Sequence, residues 1–433
     1  MIRSHRVAAL IALLWLVACA TPPSPTGVSP APDAAAAGAP HSVLLVSLDG
    51  VHPDYLGRGD TPHLDRLARD GVRAEWMRPS YPALTFPNHY TIVTGLRPDR
   101  HGIIHNTMAD DDLGHFRLAD RDAVGDGRWW GGEPLWVTAE NAGLATATLS
   151  WPGSEAPVRG VRPSRWHAFD YARPVDTRVD MVVGWLGAPA SRRPRFATLY
   201  FEHPDKAGHE HGPDSPELRA AMRMVDAAIG RLVDGLAAAG VRDQVDLVIV
   251  SDHGMAEVRD GHVVAVEDMV APDIASMATS GQVVGFRPAA GRTAEAEAAL
   301  LGRHPRYACW RRDELPARWH YGSHPRVPPI VCQMDVGWDA LPRKDIARRP
   351  AGTRGSHGFD PATPQMRAIF IAQGPSFRRG AALPAFDNVD VYPLLARLLD
   401  VPPAANDGDP QTLLPALRDA APGVRADLGD AAQ

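Results

Sequence analysis

Short runs of apolar residues recur along the chain, and each ends in polar residues before an amphipathic stretch begins. Their nearly continuous apolar character is typical of strands that are buried on both faces of a parallel sheet. We therefore predict that these runs form a central sheet. The predicted strands are Ser42–Leu48, Ala145–Leu149, Phe196–Phe201, Val245–Val250 and Ala368–Ala372.

Amphipathic stretches between these runs predict helices. The predicted helices are Pro62–Asp70, Pro87–Thr94, Leu135–Ala142, Asp176–Leu186, Pro216–Ala239 and Val389–Leu399. Strands that alternate with helices indicate an α/β fold, with a mostly parallel central sheet and helices on both faces. Residues 256–352 break this alternation with short mixed runs and many Pro and Gly. We interpret them as a smaller subdomain inserted into a main α/β domain at 41–420, and residues 421–433 as a tail.

The first residues predict an export signal. Two arginines precede an apolar stretch at 7–18, which is too short to span a bilayer comfortably. The segment LVAC at 16–19 is similar to a bacterial lipobox, in which Cys19 would carry a lipid anchor; cleavage after small residues for soluble export fits the same segment. We expect residues 1–20 to be a signal peptide. The mature protein would be periplasmic, and anchored to the outer membrane if Cys19 is lipidated.

Residues 21–40 are rich in Pro, Ala, Ser and Gly and lack a large apolar period, so they predict a disordered tether. After export, Cys309 and Cys332 would lie in an oxidising compartment. A disulfide between them is one prediction, and two buried thiols are the alternative.

Overall charge excludes one class of partner. The chain has 433 residues, of which 22% are charged, with 45 Lys+Arg against 51 Asp+Glu. This mildly acidic balance lacks the basic stripe of a nucleic-acid-binding surface. We expect no specific nucleic-acid binding, and nothing in the sequence indicates an obligate protein partner.

Polar clusters follow the predicted strands, where ligand-binding groups collect in open α/β sheets. Thr85 lies between the first two clusters, near the start of a predicted helix. The clustered residues that could bind a metal are Asp49, Asp205, His209, Asp252, His253 and His357.

Taken singly, most of these residues have ordinary structural explanations. Asp49 fits a turn, Thr85 fits a helix N-cap, and His357 fits a histidine that is satisfied within the core. Asp252 and His253 are more informative, because polar side chains beside a buried strand are costly unless they are paired.

Together, the residues favour a metal site. Three aspartates and three histidines without a thiolate suit zinc in an open catalytic centre. Two metals about 4 Å apart support in-line displacement at phosphorus. A helix start near Thr85 would add N–H groups and the positive end of the helix dipole, which attract an anion. The sequence thus predicts a phosphate pocket that contains a nucleophile.

Blocks of sequence along residues 42–400 resemble the nucleotide pyrophosphatase/phosphodiesterase family, bacterial type, of the alkaline phosphatase superfamily. The blocks are SLDG (47–50), YPALTFPNHYTIVTG (81–95), HGIIHN (101–106), WPGSE (151–155), EHPDKAGHEHGP (202–213), SDHGM (251–255) and GSHGFD (355–360). The resemblance implies an alkaline phosphatase-like fold. It also implies hydrolysis of nucleotide diesters and nucleoside triphosphates to nucleoside 5′-monophosphates.

The resemblance further implies two Zn²⁺ per chain and a phospho-threonine intermediate on Thr85. Asn106 would donate a hydrogen bond to a phosphoryl oxygen, helped by the backbone N–H of Phe86. His203 departs from the family pattern, since relatives often have an acidic residue there, and it matches no ligand position. The implied ligands are Asp49, Asp252, His253 and the Thr85 oxygen for one zinc, and Asp205, His209 and His357 for the other.

The substrate class follows from what surrounds the nucleophile. No lysine lies near Thr85 or Asn106 in the sequence, and a single neutral amide suits a diester better than a dianionic monoester. The alternatives are an alkaline phosphatase-type monoesterase and a lysophospholipid or choline-phosphate phosphodiesterase of the same superfamily. A sulfatase would need Cys or Ser at position 85, and a non-catalytic binding protein would need no metal set.

Aromatic residues would bind the nucleoside. Phe86 follows the nucleophile, and Phe169, or Tyr171 in its place, lies where the family places a second ring. Two rings that flank a base would favour nucleotides with little preference among bases. Core packing is the alternative for Phe86 and Phe169, and Trp151 is expected to shape the pocket wall.

Overall fold

An eight-stranded sheet forms the centre of the protein, in the computed structural model that describes residues 41–418. The strands of the described chain are β1 Ser42–Leu48, β2 Val72–Ala74, β3 Met77–Arg78, β4 Thr107–Asp110, β5 Gly114–Arg117, β6 Thr146–Leu149, β7 Arg165–His167, β8 Phe196–Phe201, β9 Val245–Val250, β10 Ala256–Val258, β11 Val263–Ala265, β12 Ala275–Thr279, β13 Val283–Pro288, β14 Gly302–Arg303, β15 Tyr307–Arg311, β16 Ile330–Met334, β17 Asp339–Leu341, β18 Arg354–Ser356, β19 Phe370–Gln373, β20 Ala381–Leu383 and β21 Phe386–Asp387. The helices are α1 Pro62–Asp70, α2 Thr85–Thr94, α3 Pro98–His101, α4 Arg121–Gly125, α5 Leu135–Asn141, α6 Val175–Leu186, α7 His203–His211, α8 Pro216–Ala238, α9 Val266–Met269, α10 Thr293–Leu300, α11 Arg343–Ile346 and α12 Val391–Leu399.

The sheet runs in the order β20-β2-β19-β9-β1-β8-β6-β7. Strand β1 is central and pairs in parallel with both β8 and β9. Side chains of β1 alternate between the faces. Val43 and Leu45 pack in one buried cluster with α2, α5 and α12, and Leu44 and Val46 pack in another with α1, α6 and α8. The predicted α/β fold with a mostly parallel sheet and helices on both faces is therefore confirmed.

Strand β19 runs against the predicted direction. It is antiparallel to β9, with Phe370 opposite Val250. The chain re-enters the sheet at the carboxyl end of β9, where the backbone of Gly254 donates to Met366. A strand that starts at this edge can run only antiparallel to β9, because a parallel strand would need a crossover to the opposite edge.

The segment 256–352 contains a second, five-stranded antiparallel sheet in the order β12-β13-β16-β15-β14. Its buried residues share one cluster with Ala83, Phe359 and Met366 of the flanking chain. The segment therefore packs directly against residues that lie two positions from Thr85 and from His357 in the chain. Its interpretation as an inserted subdomain stays a prediction.

A disulfide joins Cys309 and Cys332, which lie opposite each other on β15 and β16. Replacing both cysteines by alanine is expected to lower the free energy of unfolding by about 3 kcal/mol, because the cross-link restricts a loop in the unfolded chain. Urea unfolding of the oxidised protein and the double variant would measure the loss. Added dithiothreitol should destabilise the parent and leave the variant unchanged; equal midpoints in all samples would contradict the prediction.

Several predicted features lie outside the described residues. They are the signal peptide at 1–20, the lipid anchor at Cys19, the tether at 21–40 and the tail at 421–433. Within residues 41–418, none of the helices combines the length and apolar character that crossing a bilayer requires.

Candidate active site

The carboxyl ends of three adjacent strands bring the predicted acidic residues together. Asp49 directly follows β1, and Asp252 follows β9 after one residue. Strand β8 leads into α7, whose first turn carries Asp205. Because β8, β1 and β9 are neighbours in the sheet, these carboxylates meet at one edge.

Gly50 permits the close approach of β1 to α7. Its φ is +71°, and a Cβ at this position would lie 3.0 Å from the Cα of Asp205. The backbone N–H of Gly50 also donates to Asp252 Oδ1, at 3.2 Å. A side chain at position 50 would push the carboxylates apart, so the absence of a Cβ determines their spacing.

Each of the three aspartates has a buried oxygen without a hydrogen-bond partner among the described residues: Asp49 Oδ1, Asp205 Oδ1 and Asp252 Oδ2. His253 Nε2 lies 2.9 Å from Asp252 Oδ2 and 3.6 Å from Asp49 Oδ1. Buried carboxylate oxygens without hydrogen bonds are costly unless a cation neutralises them. The residues thus fit a metal centre.

The electrostatics of the cluster agree with this fit. Burial raises the pKa of Asp49 well above its ordinary value, and repulsion from Asp252 and Asp205 raises it further. Burial also raises the pKa of Asp205. Burial would raise the pKa of Asp252 too, but His253 and His89 outweigh it and hold that pKa well below the ordinary value. Several acids this close share a buried site only if positive charge compensates them.

Two histidines complete a second group with Asp205. His209 Nε2 and His357 Nε2 face each other at 3.0 Å, and each lies 3.4 Å from Asp205 Oδ1. Burial lowers the pKa of His357 well below its ordinary value, and His253 and His209 lower it further. A neutral imidazole is the form that binds a metal.

Backbone carbonyls set the tautomer of all three histidines. The Nδ1–H of His209 donates to Gly355, that of His357 to Ala83, and that of His253 to Gly254, at 2.9–3.0 Å. These bonds leave every Nε2 facing the carboxylates. Metal-binding histidines are usually oriented in this way.

The side-chain groups that could hold a metal ion in the structure differ in part from the predicted ligand sets. Three-residue groups with ligand atoms within 4.8 Å of one another are Asp205, His253 and His357, and Asp49, His89 and Asp252. His253 therefore lies between the two predicted sites. His89 is a poorer ligand, because its Nδ1 donates to the Thr85 carbonyl and its Nε2 bonds to Ser47 Oγ.

Thr85 is the first residue of α2, with Leu84 at the N-cap position. The helix begins two residues earlier than predicted, since Pro87 is tolerated in a first turn, where its missing N–H has no helical partner. Thr85 Oγ1 lies 3.4 Å from His253 Nε2. The hydroxyl is thus at a helix N-terminus and beside the acidic cluster, and this placement suits a nucleophile that attacks an anionic group.

Asn106 is anchored to the same helix start. Its Oδ1 accepts a hydrogen bond from the Phe86 backbone N–H at 2.9 Å. That N–H is therefore engaged by Asn106, whereas the family resemblance implied that it would bind a phosphoryl oxygen. The bond leaves the Asn106 amide NH₂ as the donor next to Thr85.

Two residues that support the site from behind, Tyr200 and His89, were not predicted from the sequence, whereas Trp151 was expected in the pocket wall. The hydroxyl of Tyr200 donates to Asp49 Oδ2 at 2.5 Å. Trp151 is fully buried, packs edge-on against His89 and donates from its indole to the His89 carbonyl. Tyr200 lies within an apolar strand, and neither its contact nor that of His89 follows a sequence spacing that could have revealed it.

The predicted base-binding aromatics lie in different surroundings. Phe86 is half-buried and contacts the rings of Phe116 and Trp130. Phe169 contacts the ring of Tyr200, with centroids 6.0 Å apart. Tyr171 is 54% exposed, and the Lys206 ammonium lies 5.5 Å from its ring. Tyr171 has the most accessible ring surface of the three.

A buried ion pair fixes the start of α7. Arg178 is fully buried and donates to both carboxylate oxygens of Glu202, at 2.6 and 2.9 Å. It also donates to the carbonyl of Tyr200. Glu202 is the N-cap residue of the helix that carries Asp205, so this pair connects β8, α6 and a predicted metal ligand.

Arg178→Met is expected to lower the free energy of unfolding by about 3 kcal/mol, because it leaves the Glu202 carboxylate without its buried partner. Denaturant unfolding would measure the loss. Arg231→Met is the matched control, since Arg231 makes a similar two-bond pair with Asp180 on the exposed surface of α8. Equal losses in the two variants would show that the buried pair has no special structural role.

Comparison with known proteins agrees with this geometry. The model of the type I phosphodiesterase/nucleotide pyrophosphatase family matches residues 43–360. Human ectonucleotide pyrophosphatase/phosphodiesterase family member 7 is 35% identical over 420 residues, which cover 94% of this chain and 89% of the human protein. A venom phosphodiesterase of Crotalus durissus collilineatus is 36% identical over 378 residues, 84% of this chain and 45% of the venom protein.

Among solved structures, murine ectonucleotide pyrophosphatase/phosphodiesterase 5 has a similar fold. It was solved as an inactive threonine-to-alanine variant in complex with AMP. The TM-score is 0.82 at 32% identity, over 87% of this chain and 100% of the murine chain. With its family model, its relatives and its fold in agreement, this chain belongs to the type I phosphodiesterase/nucleotide pyrophosphatase family and is a hydrolase of phosphodiester and pyrophosphate bonds.

Proposed function

We propose that the protein is a zinc-dependent phosphodiesterase and nucleotide pyrophosphatase that releases nucleoside 5′-monophosphates through a phospho-threonine on Thr85. One observation carries the proposal: the Thr85 hydroxyl, at the start of α2, lies 3.4 Å from His253 Nε2 within a buried Asp–His cluster. The inactive threonine-to-alanine variant of the murine relative supports a threonine nucleophile.

Two Zn²⁺ per chain are proposed as the cofactors. Oxygen and imidazole donors without thiolate suit zinc in a catalytic centre. When bound, the cations would act as Lewis acids that lower the pKa of a hydroxyl or water and offset charge on phosphoryl oxygens. The proposed ligands are Asp49, Asp252, His253 and Thr85 for one cation, and Asp205, His209 and His357 for the other.

The reaction requires two displacements at phosphorus. In the first, Thr85 Oγ loses its proton to solvent and forms a bond to phosphorus, while the leaving oxygen departs with the electron pair of its P–O bond. In the second, a water oxygen attacks phosphorus, and Thr85 Oγ leaves and regains a proton. One water is consumed for each bond cleaved.

Asn106 is proposed to hold the transferring group in position. Its oxygen is fixed by the Phe86 backbone, so the NH₂ group points in one direction without further ordering. A fixed donor can stabilise charge that develops on a phosphoryl oxygen. The hydrogen bonds of Thr85 and Asn106 within residues 41–418 involve no arginine or lysine side chain, and this favours the single charge of a diester.

Nucleotides are the proposed substrates. The AMP complex of the murine relative supports this substrate class. Phe86, next to the nucleophile, and Phe169 or Tyr171 on the β7–α6 connection offer rings for the base. Trp151, expected in the pocket wall, packs against His89 of α2. Relatives named as ectoenzymes and venom enzymes support a location outside the cytoplasm, which we propose to be the periplasm, with Cys19 as the site of a lipid anchor.

Thymidine 5′-p-nitrophenyl phosphate should be hydrolysed with a kcat/KM about 100-fold higher than p-nitrophenyl phosphate, a difference of about 2.7 kcal/mol in transition-state stabilisation. The reason is the neutral amide beside Thr85, which leaves the second charge of a monoester without a partner. Nitrophenolate release measures both rates, and p-nitrophenylphosphorylcholine tests a choline-phosphate activity. Preference for the monoester or the choline ester would replace the proposal with the corresponding alternative.

A further inference from the structure

A cavity of about 360 Å³ lies beside the second proposed metal group. Its lining includes His209 and His357 of that group, and Asn106. Thr85, Asp49 and Asp252 do not line it. In an in-line displacement the attacking and leaving oxygens lie on opposite sides of phosphorus. The cavity adjoins the proposed metal group that does not include Thr85, and a leaving group would depart toward that group.

The walls of the cavity carry charge of both signs. The carboxylate of Asp339 is paired with Arg349 and also accepts from Gln282 Nε2 at 2.5 Å. The carboxylate of Glu210 is paired with Lys206 at 2.7 Å. Both acids in the wall are thus neutralised by a basic side chain of this protein.

Arg354 is the cation that remains. It lines the cavity, is half-buried, and forms no side-chain hydrogen bond or close ion pair within residues 41–418; it attracts the Glu210 carboxylate less strongly than Lys206 does. It stands on β18, three residues before His357, and β18 is held by antiparallel pairing with β10. A guanidinium on a fixed strand, with its donors unused, is suited to two-bond recognition of a phosphate.

We propose that this cavity is the leaving-group subsite, and that Arg354 binds a phosphate within the leaving group. The inference rests on the function proposed above and narrows its substrate class. Phosphoric anhydrides, such as nucleoside triphosphates that release pyrophosphate, would be preferred over diesters whose leaving group is an uncharged alcohol. Arg354 is therefore a specificity-determining residue and takes no part in bond breaking.

The test compares two substrates with the same nucleoside. For Arg354→Gln, the loss in kcat/KM on thymidine triphosphate should exceed the loss on thymidine 5′-p-nitrophenyl phosphate by about 10- to 100-fold, the range for a charge-assisted hydrogen bond. The inhibition constant of inorganic pyrophosphate against ester hydrolysis should rise by a similar factor in Arg354→Gln. Arg354→Lys should recover part of both effects.

Arg348→Gln is the matched control. Arg348 is an exposed arginine six residues before Arg354, and it does not line the cavity. The Arg348→Gln variant should show the same ratio of kcat/KM on the two substrates as the parent protein. Equal losses on both substrates in Arg354→Gln, with an unchanged unfolding midpoint, would overturn the subsite and leave the proposed function intact. Failure of the parent protein to cleave either substrate would overturn both.

Discussion

Thr85→Ala is expected to lower kcat on a nucleotide diester by at least about 10⁴-fold, the loss typical of removing a nucleophile that forms a covalent intermediate. The side chain is only half-buried, and its removal leaves the helix start and the His89 bond to the Thr85 carbonyl in place. Unfolding should therefore stay close to that of the parent, and so should metal content, because three of the four proposed ligands of that cation remain. Steady-state turnover, circular dichroism and metal analysis would be measured on the same preparation.

Thr85→Ser is the informative control, because it keeps a hydroxyl at the same position of α2. It should retain far more activity than the alanine variant. Rapid acid quenching of the parent and the serine variant during turnover should trap phosphate on residue 85, and peptide mass spectrometry would locate it. An alanine variant with normal turnover and normal metal content would contradict the assignment of the nucleophile.

Removing the metal is expected to abolish turnover and also to destabilise the folded chain. One buried oxygen of each of Asp49, Asp205 and Asp252 lacks a hydrogen bond within the described residues, so without the metal the repulsion among these carboxylates would be offset only by the neighbouring histidines. A ligand held at 1,000 times its dissociation constant stabilises a fold by about 4 kcal/mol. Chelation should thus lower the unfolding temperature, and added Zn²⁺ should restore both stability and activity.

The Asp252→Asn variant distinguishes loss of metal at this site from unspecific effects of a chelator. It removes one charged ligand while keeping the shape of a fully buried side chain. The variant should lose at least one of two zinc ions and most of its activity. Asp180→Asn, at an exposed carboxylate on α6, should lose neither. A parent protein that keeps full activity after complete metal removal would refute metal dependence.

The sequence predicted five of the eight strands of the central sheet, because each of these five is an apolar run followed by polar residues, whereas the short strands β2, β7 and β20 were not predicted. The bounds of β1, β8 and β9 agree with the prediction residue for residue. Direction was not predictable for β19, since its antiparallel course depends on where the chain returns from the segment 256–352. The five-stranded sheet within that segment was missed, because its strands are short and have no uniform pattern.

The residues of the candidate site could be predicted from the sequence because they directly follow strands or open a helix. Their hydrogen-bond partners could not be predicted. The contacts of Tyr200 with Asp49, and of Arg178 with Glu202, join residues that no local pattern connects. Arg354 was missed for a related reason. In the sequence it is one of many arginines, and only the pairing of Asp339 and Glu210 with other cations distinguishes it.

The carbonyl anchors of His209, His253 and His357 have a consequence for how the protein acquires its ions. With each ring already turned to its working orientation, one divalent ion can replace another without rearrangement of the scaffold. The affinity of the site for divalent ions then follows the general order, in which Cu²⁺ binds more tightly than Zn²⁺ and Zn²⁺ more tightly than Mn²⁺. The ion recovered with the purified enzyme will therefore reflect the metal supply of the compartment and the growth medium.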